Sequence, residues 1–381
     1  MKLSFLSVAS LLFGALSRAA PVLEDRNAAL AYIPEEPELV PRTLPELPRL
    51  VIYFQTTHDA STGQPISMLP LITEKNIALT HLIVCTFHIN LGGVVHLNDF
   101  PPNDPRFYTL WNETRIMKDA GVKVMGMVGG AAPGSFDTTT LDAAAGSADF
   151  ELYYGQLRDT IHTFGLQGMD LDVEQRMSQR GITRLVQRLR ADFGPDFIIT
   201  LAPVGSALMQ GSNISGFDYS ALEDSSGDDI RFYNAQFYNG FGSMATPRDY
   251  ETVIDKHGWD PKKILAGQVT NPANGGSWVP FDQLNATIKS LRSKYGEIGG
   301  IMGWEYFNSE PGGTEEPWRW ARNMTSILRP NDVPRLAITA ATAARLTRAW
   351  KDSLLAKYGG ALGSIVDKIL PDVDYLSMVN A

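Results

Sequence analysis

Gly165-Leu-Gln-Gly-Met-Asp-Leu-Asp-Val-Glu-Gln175 is the stretch from which the rest of the chain can be read. It sets Asp170, Asp172 and Glu174 at i, i+2 and i+4. On a strand, side chains alternate between faces, so the three carboxylates share one side, and Met169, Leu171 and Val173 share the other. The apolar side calls for covering helices. The acidic side would be costly as a purely structural choice, because three neighbouring carboxylates repel and buried charge needs partners. A catalytic role explains it better. Like charges side by side raise at least one carboxyl pKa and keep a proton near neutral pH. Glu174, nearest the C-terminal end of the strand, is placed to act as general acid, with Asp172 and Asp170 sharing a proton behind it.

Working outward, short apolar runs alternate with amphipathic stretches from Arg49 to Arg329. Near-continuous apolar runs are the mark of buried parallel strands. They cover Leu50–Gln55, His81–Ile89, Val122–Val128, Gly168–Glu174, Phe197–Ala202, Phe232–Tyr238, Ile264–Val269 and Gly300–Trp304. Between them, Ile182, Leu185, Val186, Leu189 and Phe193 fall on one helical face, as do Phe150, Tyr154, Leu157, Ile161 and Phe164, with Gly165 as a stop. Helices are also expected over Asp282–Tyr295 and Glu315–Leu328. Eight strand–helix units over roughly 280 residues predict an α/β fold, a (β/α)8 TIM barrel, in preference to an open doubly wound sheet. Polar and aromatic residues gather at the C-terminal ends of several runs, where such barrels build their sites. Neither the dinucleotide-binding G-x-G-x-x-G turn nor a P-loop is present.

The ends read differently. Lys2, the apolar run Leu3–Leu16 and Ser17-Arg18-Ala19 predict a secretory signal peptide over residues 1–19, and hence an extracellular protein with no membrane span. Residues 20–48, with Pro34, Pro37, Pro41, Pro45 and Pro48, read as an extended leader before the catalytic segment 49–329. Residues 330–381 read as a short helical appendage, with helix over Ala337–Lys357 and a shorter one over Ala361–Leu370. Sequons at Asn112, Asn213, Asn285 and Asn323 agree with secretion and mark candidate glycosylation sites.

Composition narrows the partners. The 381 residues carry 33 Lys+Arg and 42 Asp+Glu, a formal charge of −9, with 44% hydrophobic residues. The acidic balance argues against nucleic acid or an anionic membrane as partner. The single Cys85 excludes an intrachain disulfide and a cysteine zinc site. The six histidines show no ligand spacing, so no metal or other cofactor is expected. A monomer is expected.

The stretch Gln167-Gly-Met-Asp-Leu-Asp-Val-Glu174 resembles the D-G-x-D-x-D-x-E signature of glycoside hydrolase family 18, which holds chitinases and endo-β-N-acetylglucosaminidases. Further segments resemble that family in order: Val128-Gly-Gly130, Thr200-Leu-Ala-Pro203, Gln236-Phe-Tyr-Asn239 and Gly300-Ile-Met-Gly-Trp304. The resemblance spans the barrel and neither end. Two positions depart from it. Gln167 stands where the family has its first Asp, and by parity faces away from the three carboxylates, so its loss is expected to be tolerated. Met127 stands where the family's S-x-G-G has Ser, which alters the support behind the aspartates.

The resemblance implies retaining, substrate-assisted hydrolysis, in which the substrate's own 2-acetamido group is the nucleophile. Glu174 would protonate the glycosidic oxygen, Asp172 would orient the acetamido N–H, and Asp170 would exchange a proton with it. Tyr238 would donate to the acetamido carbonyl and Trp304 would lie under the sugar ring. Gln236 and Asn239 are weaker candidates for substrate contact, and Tyr53, Trp278, Glu305, Tyr306 and Phe307 stand as unassigned mouth residues. A chitinase-like activity on N-acetylglucosamine polymers comes first among the readings. The alternatives are an endo-β-N-acetylglucosaminidase cutting N-glycan cores and a non-catalytic glycan-binding protein on the same barrel.

Overall fold

The computed structural model describes residues 44–90, 92–332, 334 and 338–358. The expected signal peptide 1–19, most of the expected leader 20–48 and the short helix expected over Ala361–Leu370 lie outside the described residues. The strands are β1 (Arg49–Phe54), β2 (His81–His88), β3 (His96–Leu97), β4 (Lys123–Gly129), β5 (Gly168–Asp172), β6 (Ile198–Leu201), β7 (Phe232–Gln236), β8 (Ile264–Val269) and β9 (Gly300–Trp304). All except β3 pair in parallel, in the order β1-β9-β8-β7-β6-β5-β4-β2. Parallel pairing of Val51–Phe54 with His81–Val84 joins the two edges. That closure makes the eight strands a barrel and removes the open-sheet alternative. The two-residue β3, which no apolar run announced, pairs antiparallel with β2 at the barrel mouth.

The helices are α1 (Pro70–Thr73), α2 (Tyr108–Asp119), α3 (Ala148–Phe164), α4 (Gln179–Phe193), α5 (Gly205–Leu208), α6 (Tyr219–Ser226), α7 (Arg248–Glu251), α8 (Phe281–Tyr295), α9 (Trp318–Leu328) and α10 (Ala340–Tyr358). Local chemistry sets their ends. Ser147 and Ser178 cap α3 and α4, each side chain accepting from the backbone N–H three residues on. Gly165 ends α3 at φ 57°, a left-handed conformation that costs glycine little. The expected face of α4, Ile182, Leu185, Val186 and Leu189, is buried against the sheet. Each such side chain contributes roughly 1.5–3 kcal/mol on leaving water.

Inside the barrel, Val51, Ile83, Cys85, Met125, Met127 and Met302 fill the lower and middle levels. Cys85 is therefore a buried strand residue, as its place in an apolar run suggests. The N-terminal end is closed by Arg49, whose guanidinium lies 4.7 Å from the Phe232 ring centre and donates to Glu46 (2.6 Å) and to the Lys262 carbonyl (2.9 Å). His81 meets the same ring edge-on at 5.1 Å.

Two sequence expectations change here. The C-terminal helix α10 is found, but it packs on α2 rather than standing apart: Asn112 donates from Nδ2 to Thr347 Oγ1 at 3.3 Å. Asn112 is fully buried by that contact. A glycan on its Nδ2 has no room in the folded chain, so this sequon is not a surface acceptor. A three-residue pattern carries no information on which side of a helix is covered. Asn213 is exposed in the loop after α5, while Asn285 and Asn323 are half-exposed on α8 and α9. Among the described residues no helix is long and apolar enough to cross a membrane.

Candidate active site

The regular ladder of β5 ends at Asp172, so Glu174 sits two residues past the strand, at the mouth. The alternation nevertheless holds. Met169, Leu171 and Val173 are buried against the helices, Asp170 and Asp172 are buried inside, and Glu174 is half-exposed. Tyr238, likewise expected on its strand, lies two residues beyond β7 and is buried beside the aspartates.

Asp170 is wholly buried and accepts from three side chains. Thr200 Oγ1 (2.5 Å) and Asn234 Nδ2 (3.1 Å) reach Oδ1, and Tyr53 OH (2.7 Å) reaches Oδ2. Burial pushes its carboxyl up, and the three donors pull the other way. Two donors on Oδ1 against one on Oδ2 leave a lone pair of Oδ2 able to take a proton. Asp172 is held well above the usual carboxylate range, first by burial and then by the charges of Glu174 and Asp170. Glu174 is raised as well, mainly by burial. A single bridging amide pulls both the other way. Gln236 Nε2 lies 3.1 Å from Asp172 Oδ1, 3.2 Å from Glu174 Oε1 and 3.0 Å from the Ala202 carbonyl. The two carboxyls titrate as a coupled pair, each holding its proton to a higher pH than a free carboxyl does.

The glycine pair at 129–130 has a steric reason. Gly129 (φ 112°) lets β4 approach β5 so closely that a Cβ would collide with the Asp172 carbonyl oxygen, and Gly130 N–H donates to that oxygen at 2.9 Å. Behind it, Met127 pairs in register with Asp170 and is buried in the interior cluster. A thioether there gives no strong donor. Asp170 takes its donors from β1, β6 and β7 instead, which resolves how the aspartates are supported without a serine at 127. Gln167 accepts from Val124 N–H at 3.0 Å and so stays at the N-terminal end of the barrel, away from the site.

Trp304, half-exposed, and Trp278 pack against the top of the interior cluster. The Trp304 ring centre lies 5.5 Å from that of Tyr53. The other mouth residues separate by role. Tyr53 is a positioning residue for Asp170, and buried Glu305 ties β9 to the end of β1 by accepting from Gln55 N–H (3.1 Å), Thr56 N–H (2.8 Å) and Thr56 Oγ1 (3.0 Å). Tyr306 is buried. Asn239 is turned to the rim: it is exposed at φ 55°, and its Oδ1 accepts from Gly276 N–H at 2.7 Å, joining the loops after β7 and β8. Gln175, which the sequence quoted but did not assign, steadies the neighbouring Glu174. Its Oε1 accepts from Gly134 N–H (2.8 Å) and its Nε2 donates to Asp137 (2.6 Å), clamping the loop after β4. Thr200 sits in a quoted motif, but Asn234 carried no signal beyond its inward parity on β7. Among the described residues no group of three or more His, Cys, Asp or Glu side chains is arranged to hold a metal ion.

A closed parallel barrel with stacked, upward-shifted carboxyls and an indole face at its C-terminal mouth defines the class of barrel glycosidases. Residues 49–271 match the glycosyl hydrolases family 18, and the chain belongs to that family. A solved fungal endo-beta-N-acetylglucosaminidase of family 18 is 69% identical, with a TM-score of 0.73 over 75% of this chain and 100% of its own. The chitinase ChiC from Aspergillus fumigatus is 45% identical, with a TM-score of 0.66 over 73% of this chain and 98% of its own. Chitinase 2 of Rhizopus oligosporus is 31% identical over 290 residues, 67% of this chain and 48% of that protein, so the chain spans about half the length of this curated relative.

Proposed function

We propose that the protein is a secreted, retaining glycosidase that hydrolyses a β-1,4 bond next to an N-acetylglucosamine, and that its substrate is the N-glycan core. The observation that carries the reading is the Asp172–Gln236–Glu174 arrangement, with Glu174 half-exposed at the mouth and Asp172 buried behind it. A proton held by this pair at neutral pH is what a general acid needs.

The steps follow from the positions. A sugar lies on Trp304 with its acetamido group pointing down toward Asp172 and Tyr238. Glu174 gives its proton to the glycosidic oxygen as the C1–O bond breaks and the aglycone leaves as an alcohol. The acetamido carbonyl oxygen bonds to C1 from the opposite face, with Tyr238 donating to it. Asp172 turns toward the acetamido N–H and offsets the positive charge of the oxazolinium ion, its own proton passing to the free lone pair of Asp170 Oδ2. Glu174, now a carboxylate, takes a proton from the water that opens the ring, and the product keeps its β configuration.

The choice of N-glycan over chitin rests on the 69% identity to the fungal endo-beta-N-acetylglucosaminidase. This reverses the order in which the sequence alone ranks the two. The chitinase reading keeps the support of ChiC and Chitinase 2. Secretion rests on the apolar run Leu3–Leu16 and its small-residue boundary. The test incubates the protein with a high-mannose glycoprotein and with chitohexaose and identifies the products and the anomer formed first. Loss of the glycan with one N-acetylglucosamine left on the protein supports the proposal. Cleavage of chitohexaose alone supports a chitinase. Binding without turnover of either overturns the enzymatic reading.

A further inference from the structure

Beside the catalytic mouth, on the β1–β2 side, lies a cavity of about 430 Å³, within the ordinary range for small-ligand sites. Its walls are the chain leaving β1 (Gln55–His58), His88 at the end of β2, the turn Asn98–Phe100 after β3, and Arg106–Phe107. Its wall is tied to the active site through Glu305. That residue adjoins Trp304 in sequence, and its carboxylate is bonded to Gln55 and Thr56 of the cavity wall. The mechanism uses none of the groups at its far side.

The cavity is built rather than incidental. Asn98 sits at φ 53° and nails the wall to two barrel strands. Its Nδ2 donates to the Gln55 carbonyl (3.0 Å), its Oδ1 accepts from Thr86 N–H (3.2 Å) and its own N–H donates to the Thr86 carbonyl (2.8 Å). The Arg106 guanidinium lies flat on the Phe100 ring, 3.1 Å from its centre, and donates to Asp104 at 3.2 Å. His58 Nδ1 is paired with Thr57 Oγ1 at 2.8 Å. Burial holds both His58 and His88 below the usual imidazole range, so each is neutral and offers one donor and one acceptor.

The lining is thus amide, hydroxyl and neutral imidazole, with one guanidinium and one exposed carboxylate, Asp99. Such groups match vicinal hydroxyls, which also donate and accept. The lining also discriminates. Its partly exposed ring, Phe100, carries the Arg106 guanidinium over one face, so the lining offers polar groups where the active-site mouth offers the Trp304 indole. We propose that this cavity is an accessory subsite for uncharged, non-acetylated hexose residues, the mannose-rich part of the glycan, while the reacting N-acetylglucosamine lies on Trp304. The inference rests on the N-glycan reading and adds to it a place and a chemistry for the sugars beyond the core.

The test uses the whole protein with Arg106→Ala, Arg106→Lys and Thr57→Trp, the last filling the cavity. Turnover is measured on a high-mannose glycopeptide and on an aryl β-chitobioside, which is too short to reach the cavity. For R106A and T57W, KM for the glycopeptide is expected to rise about tenfold with kcat retained, while the chitobioside is cleaved as by the wild type. R106K, keeping the charge, recovers part of the KM. Equal losses on both substrates in R106A and T57W, or no change on either, overturn the subsite. If the wild type leaves the glycopeptide intact and cleaves only chitin oligomers, the N-glycan reading fails and takes the subsite with it. Release by the wild type with unchanged variants removes the subsite alone.

Discussion

The two ends of the barrel interior bury titratable groups in the same low-dielectric space and resolve the cost in opposite ways. At the N-terminal floor, Arg49 is paired with Glu46 and lies on Phe232, and burial presses His81 down to about 3, so it stays neutral. At the C-terminal mouth, burial pushes Asp172 and Glu174 up, Asp172 also through the charges of Glu174 and Asp170, so each holds its proton more firmly. The floor neutralises or pairs each buried group. The mouth leaves two raised carboxyls, one of them half-exposed. Burial alone therefore does not make a site. Like charges gathered where a substrate can enter do.

The difference has consequences for pH. A histidine lowered in the folded state adds stability above the unfolded value near 6.5, which is lost as pH falls toward 3. Carboxyls raised in the folded state act the other way. They cost nothing while protonated in both states, below about pH 4, and weigh against the fold as pH rises through their raised values.

The largest expected effect at the mouth is Glu174→Gln. Removing the acid should lower kcat about 10³-fold with KM near that of the wild type. A variant retaining most of its turnover would end the assignment of Glu174. Next is Asp172→Asn, expected to lower kcat about 10²-fold while raising stability at pH 7 by ~1 kcal/mol. Melting curves should show that gain shrinking to nothing by pH 4, and a gain independent of pH would mean that folding does not raise the Asp172 carboxyl. Tyr53→Phe takes one of three donors from Asp170, so the Asp170 carboxyl climbs and its Oδ2 loses the hydroxyl that fixes it for the transfer from Asp172. A roughly tenfold fall in kcat at constant KM is expected from steady-state rates. At the floor, His81→Phe should leave kcat unchanged and flatten the acid-side loss of stability, by about 1–2 kcal/mol at pH 5. An altered kcat in that variant would break the separation of the two ends.

Much of this was legible in one dimension because its periods are short. Period two carried Asp170, Asp172 and Glu174 to one face. The same alternation put Asn234 inside, but a single inward amide on an apolar strand looks like any core residue until Asp170 is seen 3.1 Å away. Asn239, read beside Gln236 as a second substrate contact, turned to the rim because its left-handed backbone breaks the alternation past Tyr238. Asn112 failed as a surface site because α10, more than 200 residues later, covers it.

The sequence by itself determined the barrel, the carboxylate ladder and the order of the motifs, since each depends on neighbours within a turn of helix or a stretch of strand. Tertiary structure alone decided which groups answer those carboxylates: Tyr53, Thr200, Asn234 and Gln236 come from three other strands. It also decided that the chain after β1 and the turn after β3 enclose a polar cavity beside the mouth. The reason is closure. Pairing β1 with β2 brings the first strand against the rest of the ring, and contacts across a closed ring have no period along the chain.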